Sequence, residues 1–340
     1  MSLSRPARFP LLKLPWLCIE SVIKNWNVVD LIFFAMISKK TRRIVKIFKI
    51  PLNEVEVNLA YCYIKLGNPK NTWIFNHRSW FVDRYEHLRK GCLVLRQNEI
   101  PFYTIRTNDA LETYTNGNEV IALKMVMEFL NEMFKCSVGR VSINNGNFPE
   151  SGDVGVKSTV NLTIGNVYGY PQSQKLHLLL ENLEVTGTCD LRGTKIENDF
   201  YVDPKLFKCR ELVFGKRSAA WITREILLQF EVPRLSFYYC PFSVEAVVSF
   251  VTQWFYSNNK KLEYLYIDFQ KHVSLDEFQT AELNPMPVSG KTPIPPPFRY
   301  IDFSGRLKIV GNDGIVATIQ VIGSTFLFYI WHDQSAITQN

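Results

Sequence analysis

A short pair of apolar residues recurs along the second half of the 340-residue chain and constrains its fold more than any other feature. One residue separates the two members of each pair, as expected for a strand that buries one face, because successive side chains of a strand point to opposite faces. The six pairs are Val141/Ile143, Leu162/Ile164, Leu183/Val185, Leu212/Phe214, Leu235/Phe237 and Leu265/Ile267. Their first members are separated by 21, 21, 29, 23 and 30 residues. These separations leave room for a crossover, which predicts parallel strands.

Two of the segments between the pairs have helical spacing. Apolar residues predict helices over Ser218–Phe230 and Ser243–Tyr256, with Ser243 as an N-cap. Repeated units of roughly 20–29 residues are typical of leucine-rich-repeat arrays. Because the asparagine ladder of such repeats is absent, a plain α/β layer remains the alternative.

The regions around the array predict β structure and one further helix. Residues 51–117 alternate polar and apolar positions, and Glu119–Phe134 has helical spacing. A proline-rich run, Pro285–Pro297, predicts a stiff spacer before a C-terminal β-hairpin with its turn at Asn312–Asp313–Gly314. We therefore predict an α+β protein in four parts, in which a leucine-rich-repeat-like α/β array is flanked by β-hairpins. The parts are a helical region at 9–49, a β-rich linker at 51–117, the repeat-like region at 118–284 and a hairpin region at 298–332.

Positive charge is concentrated at the N-terminus. The net charge of the chain is +7, yet residues 1–50 contain ten basic and two acidic residues. The first 50 residues thus carry +8 and the remaining 290 carry −1. A local field of this sign steers an acidic partner, which leaves open nucleic acid, lipid headgroups, an acidic protein or only a solvated helix face.

Motifs of catalysis and of metal binding are absent from the sequence. The seven cysteines contain no Cys-x-x-Cys pair, and the five histidines show no metal-binding spacing. Neither a phosphate-binding loop nor a nucleophile elbow occurs. We therefore predict a protein that is not an enzyme and has no catalytic residue, metal or cofactor. The odd cysteine count favours a reducing compartment, cytoplasmic or nuclear, and the apolar run Leu31–Ile37 is too short to cross a membrane.

The N-terminal region predicts two or three short helices with more apolar surface than they can bury alone. Proline residues at 10 and 15 mark its start, Asn27 is a plausible N-cap, and Ser38 precedes the basic segment Lys39–Lys49. Excess apolar surface on so small a unit indicates a partner.

These residues resemble the F-box motif over about residues 9–49. The matching segments are Phe9–Leu12, Leu14–Pro15, Val22–Ile23, Asp30–Leu31 and Ile37–Lys39, of which the first resembles the version expanded in nematodes. Trp26 and Val28 depart from the pattern, where Leu and Pro are usual, but both keep a hydrophobic side chain.

The resemblance implies that the helices bind a Skp-family adaptor, an acidic protein that links them to a cullin. The residues that match adaptor-facing or packing positions are Leu14, Pro15, Val22, Ile23, Leu31 and Ile37. Helix-face burial favours Leu31 and Ile37 as core residues. Leu14 and Pro15 lie at the edge and are the better candidates for contact.

The C-terminal part is similar to the F-box-associated domain of the second type. The similarity rests on Val232–Leu235, Trp254, the polar run Ser257–Lys260 with Lys261–Leu265, and the ending with Gly314–Ile319 and Trp331. Together the two resemblances imply a substrate-recognition subunit of an SCF-type (cullin-RING) ubiquitin ligase. The alternative is a nucleic-acid-binding protein that uses the basic segment Lys39–Lys49.

The alternation of the predicted strands places tyrosines on one face of the array. The residues predicted to point into the core are Leu235, Phe237, Tyr239, Leu265 and Ile267. Tyr238, Tyr264 and Tyr266 then point outward and form a candidate target-binding patch, because tyrosine is enriched in binding hot spots. The alternative is that the β flanks at 51–115 and 298–332 cover these rings.

We expect the double substitution Leu14→Ala and Pro15→Ala to weaken adaptor binding while residues 51–340 remain folded. Truncation of a hot-spot side chain typically costs about 2 kcal/mol or more, or about thirtyfold in affinity. Pull-down with purified adaptor measures the loss, and unchanged recovery would contradict the assignment of these residues.

Overall fold

The computed structural model describes two compact units, Met1–Gly139 (unit 1) and Arg140–Asn340 (unit 2). The described residues are 11–76, 93–97, 100–107, 110–115, 117–143, 148–149, 151–165, 173–194, 200–257, 261–279, 283–288, 298, 305–311 and 314–332. The predicted Asn312–Asp313 turn lies outside these ranges, as do Phe9, Pro10, Asn258–Lys260 and most of the proline-rich run. The boundary between the units differs from the four predicted parts, because the helix that begins at Glu119 belongs to unit 1.

Unit 1 begins with three short helices whose breaks follow from their caps. After a 3₁₀ turn at Leu11–Lys13, they are α1 (Trp16–Lys24), α2 (Val28–Ile37) and α3 (Lys39–Phe48). The side chain of Asn27 accepts a hydrogen bond from the Asp30 amide at 2.8 Å, which caps α2 as predicted. Ser38 and Thr41 form a reciprocal capping box at the start of α3.

The helices bury a small aliphatic core. The buried side chains include Ile19, Ile23, Val29, Leu31, Ile32, Ala35 and Val45. The expectation that Leu31 is a core residue is therefore correct. The same expectation for Ile37 is wrong, since this last residue of α2 is 57% exposed.

The rest of unit 1 is a mixed sheet with one long helix. Its strands are β1 (Pro51–Asn58), β2 (Tyr63–Leu66), β3 (Asn68–Asn76), β4 (Leu93–Gln97), β5 (Ile100–Arg106) and β6 (Ala110–Tyr114). They lie in the order β1-β2-β3-β6-β5-β4, and only β3 and β6 are parallel. Helix α4 (Glu119–Met133) matches its predicted position and buries one apolar face.

Unit 2 contains a second series of strands, with helices between them. Strand β7 (Lys135–Ile143) crosses the unit boundary, and its residues from Arg140 onward pair in unit 2. The remaining strands are β8 (Ser158–Thr159), β9 (Asn161–Ile164), β10 (Glu184–Val185), β11 (Thr188–Asp190), β12 (Glu211–Phe214), β13 (Arg234–Cys240), β14 (Tyr264–Phe269), β15 (Met286–Pro287), β16 (Leu307–Val310), β17 (Val316–Ile322) and β18 (Thr325–Trp331). The helices are α5 (Ser173–Asn182), α6 (Arg224–Leu227) and α7 (Val244–Tyr256).

The pairing in unit 2 confirms the parallel strands. Strands β7, β9, β11, β12, β13 and β14 are neighbours in chain order, and every adjacent pair among them is parallel. The sheet continues through β18, β17, β16 and β15, which pair antiparallel. The protein therefore combines helices with large mixed β structure, and the α+β class is confirmed.

Five of the six predicted apolar pairs lie in this parallel series and hold it in register. Val141 pairs with Leu162, Leu212 with Leu235, and Leu235 with Leu265. The predicted place of the pair Leu183/Val185 is wrong, because Val185 belongs to β10, which pairs with β8 in a separate two-stranded sheet. Cys189 of β11 occupies the register position instead. A cysteine does not stand out in an aliphatic pattern, although it packs as a small hydrophobic side chain.

Aromatic side chains pack together in the core of unit 2, among them Phe214 and Phe237, the second members of two predicted pairs. The rings of Phe214 and Phe237 stack with centroids 5.3 Å apart. Trp254 of α7 packs edge-on against Phe328 at 5.0 Å. Ser243 caps α7 as predicted, but the predicted helix over Ser218–Phe230 contains only the four residues of α6.

A bulge interrupts the regular alternation at the end of β13. The register with β14 shifts between Phe237 and Cys240, and Tyr239 has a positive φ of 54°. Tyr239 is consequently 63% exposed, so its predicted place in the core is wrong. A bulge inserts one extra residue, which cannot be seen in an alternating sequence pattern.

We expect Gly215→Ala to destabilise unit 2, because an added Cβ would lie 2.6 Å from the carbonyl oxygen of Arg192. Overpacking of this kind costs about 1–3 kcal/mol. Gly165→Ala is the matched control, since the nearest atom to its Cβ is the Ile143 oxygen at 3.8 Å. Chemical denaturation of both variants measures the difference, and equal stabilities would contradict the packing argument.

Candidate functional site

The structure divides the six predicted adaptor residues into a buried and an accessible group. Ile23 and Leu31 are 0% and 3% exposed and hold the helices together. Leu14 and Val22 are half-buried, whereas Pro15 and Ile37 are exposed. Pro15 also accepts the amide hydrogen bonds of Cys18 and Ile19 and so forms the start of α1.

Further apolar side chains of the helices are exposed to solvent. Leu17 is 76% exposed, Ile47 is 61% exposed and Trp16 is 44% exposed. The indole of Trp16 stacks on Phe48 with centroids 5.2 Å apart, which brings the start of α1 to the end of α3. The sequence patterns did not single out Leu17, Ile47 or Trp16 as contact residues.

Helix α3 is strongly amphipathic. Thr41, Ile44 and Val45 are buried, while its basic side chains are exposed at Lys39, Lys40, Arg43, Lys46 and Lys49. Lys46 forms an ion pair with Glu132 of α4 at 3.2 Å. The predicted positive field therefore lies largely on one solvent-facing helix.

In unit 2, the outward face of the parallel sheet carries the predicted tyrosines. Their outward direction is correct, but Tyr264 is only 4% exposed because Phe298 and Leu327 pack against it. The alternative that the C-terminal flank covers the rings thus holds for Tyr264. Tyr238 and Tyr266 are half-buried and keep part of their rings accessible.

These tyrosines belong to a continuous aromatic row, which we define as Tyr238, Tyr266, Phe298 and Tyr264. Successive ring centroids along the row are 5.2, 6.2 and 5.1 Å apart. The guanidinium of Arg192 lies over Tyr238 at 5.3 Å, and that of Arg234 lies over Tyr264 at 5.8 Å. An arginine therefore lies over one face of the ring at each end of the row, in the geometry of a cation–π contact.

A carboxylate holds each of these arginines. The Nε and Nη2 atoms of Arg192 donate to the two oxygens of Asp190, with Nη2 to Oδ2 at 2.7 Å. Glu263 accepts from Nε of Arg234 and from Nη2 of Arg210, the latter at 3.2 Å. Burial opposes the charge of the Glu263 carboxylate, but the two guanidiniums outweigh it and lower its pKa.

The buried end of the row is fixed by a polar chain. The Tyr264 hydroxyl donates to Oε1 of Glu211 at 2.9 Å, and Thr188 donates to Oε2 of the same carboxylate at 3.4 Å. Burial, followed by the charge of Glu211, raises the pKa of Tyr264 well above its usual value. Tyr264 is therefore a neutral hydrogen-bond donor whose role in the structure is packing.

Sequence reasoning missed the arginines, their carboxylates and Phe298. Asp190 and Arg192 are two residues apart, a spacing common to many unrelated surface pairs. Glu263 and Arg234 meet only because β13 and β14 are adjacent and parallel. A signal in the sequence existed only for the tyrosines.

Within the described ranges, no group of three or more His, Cys, Asp or Glu residues could hold a metal ion. The imidazole of His177 bonds to Glu181 on the same helix, and that of His332 bonds to the Leu262 carbonyl. Burial raises the pKa of the Cys136 and Cys240 thiols to about 11, which keeps them protonated at neutral pH.

A helix long and apolar enough to span a bilayer is not found among the residues that the structure describes.

No protein-family model, no curated protein and no solved structure matches the chain.

We expect Glu263→Gln to destabilise the protein at neutral pH by about 1 kcal/mol, in the range of a partly exposed ion pair. Because the pKa of Glu263 is lowered by folding, its stabilisation is complete above the unfolded pKa of about 4.3 and is lost as the pH falls through the lower folded value. The difference in unfolding free energy between wild type and variant should therefore shrink below about pH 4. Glu231→Gln is the control, since the Glu231–Lys261 pair is 3.8 Å apart and exposed. A difference that does not shrink as the pH falls below about 4 would contradict this linkage.

Proposed function

We propose that this chain is the substrate-recognition subunit of an SCF-type (cullin-RING) ubiquitin ligase. In this proposal the N-terminal helices bind a Skp-family adaptor, which links the chain to a cullin, and unit 2 binds a target protein. The observation that carries the proposal is the in-register F-box resemblance on three short helices that leave large apolar side chains exposed.

The exposed apolar side chains support an adaptor surface on the helices. Leu17 and Ile37 are each more than half exposed, although the helices have a well-packed core beneath them. Contact side chains are expected to be accessible, so Leu14, Pro15, Val22 and Ile37 are proposed for contact. Ile23 and Leu31 then support this surface from inside.

The topology of unit 2 supports a leucine-rich-repeat-like array as the target-binding part. Its parallel strands follow one another in chain order and expose an outward face that carries Tyr238 and Tyr266. Arrays of this kind bind partners through the face that their strands present. We propose that Tyr238 and Tyr266 contact the target and that Tyr264 supports them from within the row.

The chain has no catalytic role in this proposal. Transfer of ubiquitin is assigned to other subunits, and this chain holds adaptor and target at a defined separation. It acts without a cofactor in the cytoplasm, the nucleus or both.

A second candidate function is nucleic-acid binding through α3. The observation that favours it is the row of exposed basic side chains from Lys39 to Lys49. An acidic adaptor would be attracted by the same field. Charge reversal on α3 therefore distinguishes the two functions by the partner whose binding is lost.

We expect the double substitution Leu17→Asp and Ile37→Asp to reduce capture of purified adaptor at least about tenfold, because two charges would be placed in an apolar interface. Both residues are exposed, so the helices should stay folded, and circular dichroism checks this. Tyr256→Asp is the matched control, a 59% exposed site on α7 of unit 2.

Charge reversal at Lys39, Lys40 and Arg43 distinguishes the two candidates. A ligase subunit should lose adaptor association rate, with a smaller change in dissociation. If the wild-type chain does not capture the adaptor, and the reversed variant loses binding to RNA or DNA, the ubiquitin-ligase proposal fails.

A further inference from the structure

The accessible end of the aromatic row forms a distinct surface, which we call the tyrosine platform: Tyr238, Tyr239 and Tyr266. The rings of Tyr238 and Tyr266 lie 5.2 Å apart at an angle of 42°. Tyr239, the residue after Tyr238, is 63% exposed because of the bulge, and it is among the neighbours of Tyr266 that, after burial, raise the pKa of that hydroxyl. Gln270 donates to the Tyr239 carbonyl at 3.3 Å and holds the bulge against the loop after β14.

The conformation of Tyr239 is unusual for a bulky residue. Its φ of 54° lies in the left-handed region, where side chains with a Cβ cost roughly 1–2 kcal/mol. Bulges commonly redirect a side chain beside a binding site. Here the strained residue presents an aromatic ring to solvent instead of burying it.

Two arginine side chains on this face of the sheet have the same arrangement of neighbours. Arg192 lies between the Asp190 carboxylate and the ring of Tyr238, and Arg234 lies between the Glu263 carboxylate and the ring of Tyr264. Each arginine combines a charge-assisted hydrogen bond with a cation–π contact. The chain thus contains two internal examples of the ligand geometry that such a surface favours.

Charges of both signs lie near the platform. Among the charges that act on Tyr238, the guanidinium of Arg192 has the largest effect, and the carboxylates of Glu211, Asp190 and Asp268 oppose it. Asp268 accepts a hydrogen bond from the Ser324 hydroxyl at 2.8 Å, a neutral partner that leaves its charge in place. The Asp268 carboxylate thus favours a cation at this end of the row.

We propose that the tyrosine platform binds an arginine or lysine side chain of a partner polypeptide. The cation lies against the rings of Tyr238, Tyr239 and Tyr266, within the field of the surrounding carboxylates. This proposal depends on the proposed function only in identifying the partner as a ligase target. The recognition chemistry itself depends on residues of unit 2 alone.

Binding of a fluorescent peptide of alternating glycine and arginine to the full chain, followed by anisotropy, tests the proposal. The matched probe carries citrulline in place of arginine, which keeps the shape and removes the charge. We expect the arginine peptide to bind more tightly. Tyr238→Leu with Tyr239→Leu should weaken it at least about fivefold, the size of an exposed cation–π contact. Tyr256→Leu, an exposed tyrosine of α7, is the control.

Arg192→Gln is the strictest test, because it is expected to strengthen binding of the arginine peptide, whereas the tyrosine substitutions are expected to weaken it. The substitution frees the Asp190 carboxylate and one side of the Tyr238 ring, so the arginine peptide should bind roughly two- to fivefold more tightly. Weaker binding of the arginine peptide to this variant would overturn the proposal, as would unchanged binding to the double tyrosine variant.

A uridine oligonucleotide tests the other macromolecule that stacks on exposed rings. Loss of oligonucleotide binding in the double tyrosine variant, with unchanged peptide binding, would assign the platform to nucleic acid and overturn the proposal. Adaptor capture by the same variant should remain at the wild-type level. Capture therefore reports on the ligase proposal, and peptide binding reports on the platform.

Discussion

The register of short parallel strands in unit 2 is the constraint on which the rest of that unit depends. Strand β11 has three residues and β12 has four, too few to persist without neighbours. Each is held because its apolar side chain meets the matching side chains of the strands on both sides, as Cys189 meets Leu162 and Leu212. Stability in such a series comes from nearest-neighbour contacts, so the first and last strands need a different ending. The antiparallel strand β18 supplies one ending by pairing with β14.

The same register determines the chemistry of the opposite face. Because strand side chains alternate, burial of Leu212, Leu235 and Leu265 on one face places Glu211, Arg234 and Tyr264 side by side on the other. The Arg234 guanidinium lies over the Tyr264 ring, and the Tyr264 hydroxyl donates a hydrogen bond to Glu211. Phe298 then divides the aromatic row, since it covers Tyr264 almost completely and leaves Tyr238 and Tyr266 half-exposed. One end of the row is therefore structural and the other remains open to a partner.

In unit 1, the three N-terminal helices bury some apolar side chains in their core and expose others to solvent within a very short segment. Caps at Asn27 and Ser38 start the second and third helices after gaps of three residues and one residue, so three helices fit into 33 residues, from Trp16 to Phe48. Their inner faces close on Ile23 and Ile32, and their outer faces carry exposed apolar and basic side chains together. Such a surface combines long-range attraction with a short-range apolar contact, which suits association with an acidic partner.

Much of the architecture could be predicted from the sequence, because its determinants are local. Periodicity located α4, α7 and five of the six register pairs, and cap chemistry located the breaks at Asn27, Ser38 and Ser243. Contacts between residues that are distant in the chain determined the remaining features. Cys189 replaced an aliphatic residue, a bulge turned Tyr239 outward, and Phe298 returned across the sheet to cover Tyr264. Alternation could show which way a side chain points, but its exposure depends on segments that are distant in the chain. For the same reason the sequence determined the tyrosines as candidates, while only the tertiary structure decided which of them stay accessible and which arginines and carboxylates surround them.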